Sequence, residues 1–414
     1  INSFVSQYDP NTSYLDPESK DRFDVDMSGN YAGIGARLQK KIDKVEITEV
    51  ISGGPAWRDN ILEKGDAILK VRQDNEDEPV GILNMRLSEA VKLIKGKKGT
   101  KVHLTVKKLD GTVNEVTVKR DIVLLEETYI KSSIVEKDNN TYGLINIPKF
   151  YIDFDNQSNR DAAKDLRTEI ERLKEQGIQG LVIDLRNNGG GALKTVVEMA
   201  GMFIKNGPVV QVKYFDKEKQ VLSDRDRSVL WTGPLVILVN EGSASASEIL
   251  AAAMQDYKRA IIIGGNQTWG KGTVQNVFPL NRMVRGNTNG DLGALRYTTQ
   301  KYYRINGGSV QLEGVKSDIN VPYRYKYLEF GEKDSENPLQ WDEIDKVEFD
   351  TWNSNFNFEE AITKSNKRMA NNEYLKLVDE NAKWIKSIRD NKLINLNYDK
   401  FKLELEENSS ITEK

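Results

Sequence analysis

The chain has 414 residues, 60 basic against 63 acidic for a net charge of −3, and 38% of them are hydrophobic. That length accommodates two or three domains of roughly 150 residues, the near-neutral balance excludes a broad attraction to nucleic acid, and no apolar run approaches the ~20 residues of a transmembrane helix. One histidine, His103, and no cysteine exclude disulfides and leave too few ligands for a zinc site; neither a metal nor a cofactor is expected.

Residues 1–30 contain YDPNTSYLDPESKDRF. Its two Asp-Pro pairs mark turns, and the stretch reads as a linker or the remnant of an N-terminal region, with Glu18–Phe23 able to begin a helix. The 414 residues contain no signal peptide, and Ile1 reads as an internal start, with any leader lying outside this sequence. Residues 31–121 read as a compact β-rich module. A strand over Val45–Ile51 leads into the turn Ser52-Gly53-Gly54-Pro55-Ala56, and Gly65-Asp66 precedes a strand over Ala67–Val71. Leu87, Ala90, Val91 and Ile94 fall on one helical face. Val102, Leu104 and Val106 alternate, Asp110-Gly111 turns a hairpin, and Val116 and Val118 resume the alternation. This order resembles a PDZ domain, in which a glycine-flanked loop offers backbone N–H groups to a peptide's C-terminal carboxylate and the peptide adds as a strand. Gly33-Ile34-Gly35 in YAGIGARL matches that loop.

Residues 122–330 alternate strands and helices: strands over Tyr142–Ile147, Leu181–Leu185, Val209–Tyr214, Leu235–Val239 and Ala260–Gly264, a helical stripe of Ala162, Leu166, Ile170 and Leu173 ending at Gly177, and a helix over Leu193–Ile204. The expectation is an α/β core of strand-turn-helix units. Asn187-Asn188-Gly189-Gly190-Gly191 turns into one of those helices, where unobstructed backbone N–H groups can stabilise developing negative charge. Asp184 and Arg186 read as braces of that turn, and Asp256 and Arg259 as structural. After Gly331 glycine disappears. Ile362, Met369, Leu375, Val378, Ala382, Ile385 and Ile388 indicate one or two amphipathic helices over 331–414, with Glu404–Lys414 polar and expected to fray.

The chemistry concentrates in 240–275, NEGSASASEILAAAMQDYKRAIIIGGNQTWGKGTVQ. Three serines sit at the start of the helix-forming stretch Glu248–Asp256, and Lys271 is flanked by Gly270 and Gly272. His103 lies in the alternating strand KVHLTV of the other module, so for a serine nucleophile lysine is the best available base. Ser247 suits the helix cap and Ser243 the turn, and on this pattern alone the three serines stay rival nucleophiles. Lys271 has to be neutral to accept a proton, although an unperturbed lysine titrates near ~10.4; burial beside Trp269 and Val274 would disfavour the charged form.

GSASASEILAAAMQDYKRA, TWGKGTVQ, IDLRNNGGGAL and the PDZ-like insertion together resemble the carboxyl-terminal processing, or tail-specific, proteases, most of all their Gram-negative tail-specific branch. NGGSVQLEGVKSDINVP and YDPNTSYL extend the likeness from residue 8 to residue 323. The resemblance implies a crotonase/ClpP-like α/β protease core (122–330) carrying an inserted PDZ domain (31–121), followed by a C-terminal helical region (331–414). It implies Ser245 as nucleophile, Lys271 as base, Gln275 as the residue that orients the lysine, and an oxyanion hole from Gly190, with Gly191, and Ala246. GGNQTWGKG is one residue longer than the family's usual loop. The implied partners are protein substrates with nonpolar C-terminal tails, without nucleic acid and with any adaptor unidentified; the implied location is the periplasm or cell envelope. Two other readings stand beside this one: a PDZ scaffold on an inactive protease core, and an acyl-thioester enzyme, whose chemistry calls for neither a Ser/Lys pair nor a PDZ insertion.

Overall fold

The computed structural model describes residues 1–153, 160–214, 217–288, 290–328, 330–353 and 356–412. At its centre lies a six-stranded sheet in the order Lys131–Lys137, Asn140–Asn146, Gly180–Asp184, Leu235–Val239, Ile261–Gly264, Ile319–Asn320. The first pair is antiparallel and every later neighbour is parallel. Apolar runs such as LVILV suit strands covered on both faces; Ile183 and Ile237 are fully buried. The helices Ala162–Glu175, Leu193–Gly201 and Ala246–Asp256 supply the cover. Asp161 caps the first by accepting from the Lys164 N–H, and its Leu166, Ile170 and Leu173 enter the core. The strand ends of this α/β layer point the Asn187–Gly191 turn and the 240–247 turn toward the same side, since Asp184 and Leu238 are register partners.

A second, antiparallel sheet was not evident from the sequence pattern. It joins Ser13–Leu15, Ala294–Tyr303, Gly207–Lys213 and Gln220–Asp224, with Thr273–Pro279 also paired to Ala294–Tyr303. Most residues of Ala294–Tyr303 are half-buried on both faces, so no polar-apolar alternation betrays the strand. The stretch read as a linker contributes its edge: Ser13, Tyr14 and Leu15 pair with Arg296, Leu295 and Ala294. The helix Pro17–Ser28 follows, capped by Asp16 and opened by proline.

The PDZ module has its own core, built from Ile34, Val45, Ile47, Ile68, Val71, Ala90, Ile94, Val102, Leu104, Val106 and Val118 among others. Its entry strand Asn30–Gly33 pairs with its exit strand Asp121–Leu124, which closes the module as an insertion between Ser13–Leu15 and the rest of the core. Ala36–Lys40 forms the edge of the main PDZ sheet, beside the helix Leu87–Ile94.

Beyond residue 331 the chain first runs as a mainly non-helical strap. Ile344 N–H bonds Gly307 O, Val347 N–H bonds Ile305 O, and Trp352 N–H bonds Tyr257 O. The amphipathic pattern then appears as the helices Phe358–Ala370 and Glu373–Asp390, and a further helix, Tyr398–Thr412, extends through most of the tail expected to fray. Among the described residues no helix is long and apolar enough to cross a membrane.

Candidate active site

The three serines of SASAS are sorted by burial and bonding. Ser243 and Ser247 are fully buried; their hydroxyls donate to Leu185 O and Asn188 O, each at 2.8 Å. Ser245 keeps part of its surface, and its hydroxyl donates to no carbonyl among the described residues. Ser245 also occupies a conformation that side chains rarely adopt, φ +56° and ψ −112°. Such a backbone costs about 1–3 kcal/mol unless its surroundings over-determine it. They do: Ser245 N–H donates to Glu248 Oε2 at 2.8 Å, the buried Tyr302 hydroxyl donates to Ser245 O at 3.2 Å, and Ser245 O accepts the Ile249 N–H as the helix begins.

The glycine turn packs directly on this strained residue. A Cβ on Gly190, at φ +106°, would lie 2.9 Å from Ser245 Cβ and from Ala244 O, so only glycine fits. Asn188, fully buried, ties the two turns together: its carbonyl accepts the Ala244 N–H, its amide donates to Ile147 O, and its Oδ1 accepts the Gly190 N–H at 2.8 Å. Asp184 holds Arg186 through both carboxylate oxygens below the turn. Gly190 N–H is therefore committed internally, whereas the Ala246 and Gly191 N–H groups have no hydrogen-bond partner among the described residues.

Glu248 joins the serine turn to the lysine loop. Its buried carboxylate takes four donors: Ser245 N–H and Lys271 N–H on Oε2 (2.8 and 3.0 Å), Gly270 N–H and the Thr268 hydroxyl on Oε1 (2.7 and 2.6 Å). Burial raises this carboxyl, and against the downward pull of the same four donors it stands at about 7. Lys271 itself is partly exposed by surface area, yet burial of its amine holds its pKa below the ordinary lysine value. The Arg296 guanidinium pushes in the same direction, while Glu332, Glu248 and Asp9 oppose it.

Gln275 lies on the strand Thr273–Pro279 beside a register shift. Its amide nitrogen donates to the Thr273 and Thr298 hydroxyls; among the described residues no hydrogen bond joins it to Lys271, and its Oε1 is the atom left for a cation. Gly33, Ile34 and Gly35 lie apart, in the PDZ module, where Ile34 O and Gly35 O accept the Ala56 and Ile51 N–H groups. His103 is bonded to Thr117 and Asp74 in the same module. Among the described residues no group of three His, Cys, Asp or Glu is placed to hold a metal.

Sequence reasoning missed Asn188, Glu248, Thr268 and Glu332. Glu248 carried a signal, since an acidic residue three positions after a helix-initiating serine is the capping-box spacing. Asn188 stood in the glycine turn already singled out, though nothing along the chain marked its side chain as the tie to Gly190; Thr268 and Glu332 are recruited across long sequence separations and carried no signal.

Comparison with known proteins identifies three segments of the chain. Residues 141–321 match peptidase family S41, residues 23–107 the PDZ domain, and residues 325–414 the C-terminal domain of tail specific protease. The chain is 39% identical over 407 residues to the tail-specific protease of Haemophilus influenzae, covering 96% of this chain and 56% of that protein. It is 33% identical over 315 residues to the carboxy-terminal processing protease CtpA of Bacillus subtilis, covering 76% and 61%. The PDZ domain of a Vibrio cholerae carboxy-terminal protease, solved in complex with peptide, is 41% identical over 23% of this chain and 97% of that one, with a TM-score of 0.22. The chain thus spans little more than half the length of the two curated relatives. With its S41 core, its PDZ insertion and its tail-specific C-terminal domain in order, the chain belongs to the tail-specific, or carboxyl-terminal processing, proteases of family S41.

Proposed function

We propose that this chain is a serine endopeptidase that selects proteins by their C-terminal tail and cleaves them through an acyl-enzyme on Ser245. The observation that carries the reading is the shared Glu248 oxygen, which brings the backbone of Ser245 and that of Lys271 onto one acceptor. Neutral Lys271 takes the Ser245 proton as Oγ attacks the scissile carbonyl. The oxyanion that forms faces the Ala246 N–H at the helix start and the Gly191 N–H; Gly190 would join only after releasing Asn188 Oδ1. The resulting Lys271 ammonium, with Gln275 Oε1 as an acceptor, returns its proton to the leaving amine. Water then attacks the acyl-enzyme with Lys271 again as base, and the acid product leaves Ser245 as it began.

The PDZ module supports tail selection through two features. Ala36–Lys40 is a sheet edge able to pair with an extended peptide, and the Ile34 and Gly35 N–H groups have no protein acceptor among the described residues. An apolar terminal residue would rest against Ile34 and the helix Leu87–Ile94. A location in the bacterial cell envelope is proposed from family membership. The test is degradation of a model protein with and without a nonpolar C-terminal tail, by wild type and Ser245→Ala. Tail-dependent loss of the substrate with wild type only is the expected result. Equal inertness of both enzymes would favour the scaffold reading, and cleavage by Ser245→Ala would overturn the nucleophile.

A further inference from the structure

The strap that follows the protease core reaches back into the lysine loop. Glu332, 2% exposed, accepts the Trp269 indole N–H on Oε2 at 2.9 Å and the Asn11 side-chain amide on Oε1 at 2.6 Å. Its own backbone N–H donates to Trp269 O at 2.9 Å. Trp269 is thereby gripped at both its indole and its carbonyl, while its N–H donates to Ser243 O in the serine turn at 3.0 Å. Lys271 follows two residues later. Asn11 belongs to an Asx turn closed by Asp9, and the adjoining Thr12 hydroxyl accepts the Thr298 N–H. Three segments remote in sequence (the N-terminal stretch, the GKG loop and the post-core strap) therefore converge on one buried carboxylate.

We propose that Glu332 is a positioning residue for the general base, acting through the Trp269 indole to fix the lysine loop against the serine turn, with Asn11 holding Glu332 in place. This deepens the Ser/Lys reading and rests on it. The bond network gives the reason. Glu248 holds Thr268, Gly270 and Lys271 from the helix side; Glu332 holds Trp269, between them, from the strap side. Proton transfer needs Nζ placed to within a fraction of an ångström of its productive position, and a loop held on its helix-facing side alone leaves the Trp269 side chain free to shift it. Glu332 also belongs to the charge set that faces Lys271. That set comprises Arg296 on the strand Ala294–Tyr303, Glu248 on the helix Ala246–Asp256, Asp9 and Glu332. Arg296 favours the neutral lysine, and the three carboxylates favour the ammonium.

The experiment compares wild type, Glu332→Gln, Glu332→Ala, Trp269→Phe, the double variant Glu332→Ala/Trp269→Phe and Lys271→Ala. Peptide hydrolysis is followed across pH, together with hydrogen exchange of residues 268–272. Glu332→Gln can still accept the indole N–H, with Asn11 turning its amide to accept from the new NH₂. Its kcat should stay within about threefold of wild type, since the bond is kept. Removing the negative charge lowers the proton affinity of Lys271, so the acid limb of kcat/KM should move to lower pH. Glu332→Ala should lose about tenfold or more in kcat with little change in KM, the mark of an interaction expressed in the transition state, and exchange at 268–272 should quicken. Trp269→Phe should lose a similar factor without Glu332→Gln's shift of the acid limb, and the double variant should be no worse than either single change. Glu332→Ala within twofold of wild type at every pH, or losses that multiply in the double variant, would overturn the proposal. If Lys271→Ala is as active as wild type, the base assignment fails instead, and hydrogen exchange still reports separately whether Glu332 holds the loop.

Discussion

Two glycine-bearing loops in this chain are wired in opposite ways. The Asn187–Gly191 turn and its serine partner are braced against each other: the Asn188 carbonyl, amide and Oδ1 all bond, and the Ser243 and Ser247 hydroxyls pin the turns to Leu185 and Asn188, so the Gly191 and Ala246 N–H groups are held in place without a partner of their own among the described residues. The Gly33-Ile34-Gly35 loop is held through two carbonyls, and the Ile34 and Gly35 N–H groups have no acceptor among the described residues. The difference follows from what each has to do. A nucleophile kept at φ +56° stores strain that relaxes unless neighbours forbid it, and an oxyanion site works because it does not reorganise during reaction. A loop that receives a carboxylate gains its missing bonds from the ligand, so its N–H groups have to stay uncommitted beforehand.

The largest effect expected on the rigid side is Ser245→Ala, which should lower kcat by on the order of 10⁴-fold or more while leaving tail binding intact. Turnover lost in Ser243→Ala or Ser247→Ala but retained in Ser245→Ala would sink the assignment. Lys271→Arg should be nearly as inactive as Lys271→Ala, because arginine keeps the charge but does not deprotonate in this range; recovery of activity by arginine would reduce Lys271 to an electrostatic anchor.

Glu248→Gln comes next, with an expected kcat loss of about a hundredfold, since a glutamine side chain turns an NH₂ toward two of the four donors. The same carboxyl gives the pH dependence a sign. Below about 7 it takes up a proton, one oxygen becomes a donor, and the join between Ser245 and Lys271 weakens, so wild-type activity should fall as pH drops through that range. Stability runs the other way. The folded carboxyl holds its proton to higher pH than the 4.5 of the unfolded group, so its contribution is full below 4.5 and is lost as pH rises through about 7. Relative to Glu248→Gln, wild-type stability should therefore rise on acidification from pH 7 to 4.5, as measured by denaturant unfolding at each pH. A flat difference would show that the four donors outweigh burial.

On the adaptable side the effects should be smaller and confined to capture. Amidating the substrate's C-terminus, or extending it with lysine, should lower kcat/KM by roughly tenfold, through KM; peptides of identical internal sequence with free, amidated and extended ends make the comparison. Gly35→Ala should act similarly. Gly35 sits at φ +79°, and a Cβ there would lie 3.1 Å from Gly54 Cα, so the loop would have to shift. Equal kcat/KM across all of these would leave an ordinary endopeptidase with an idle PDZ module.

What the sequence determined by itself is local and periodic. Alternation in Val102–Val106 and Val116–Val118, the apolar run LVILV, and the 3.6-residue stripe of Leu166, Ile170 and Leu173 each announce an element, because burial repeats at that element's own period. Residue chemistry did the same for the site: one histidine in a remote strand and no cysteine left a serine-lysine pairing as the arrangement at hand. The tertiary structure alone decided which groups meet. Ser13–Leu15 became an edge strand because Ala294–Arg296 offers it unpaired backbone, and half-buried Ala294–Tyr303 shows no alternation to announce that offer. Ser245 was separated from Ser243 and Ser247 physically by the carbonyls of Leu185 and Asn188, which lie more than 50 positions away in the chain. Glu332, in a region read only as amphipathic helix, enters the lysine loop for the same reason. A carboxylate excluded from water is drawn to whatever N–H groups the fold places near it, and no pattern along the chain records which those will be.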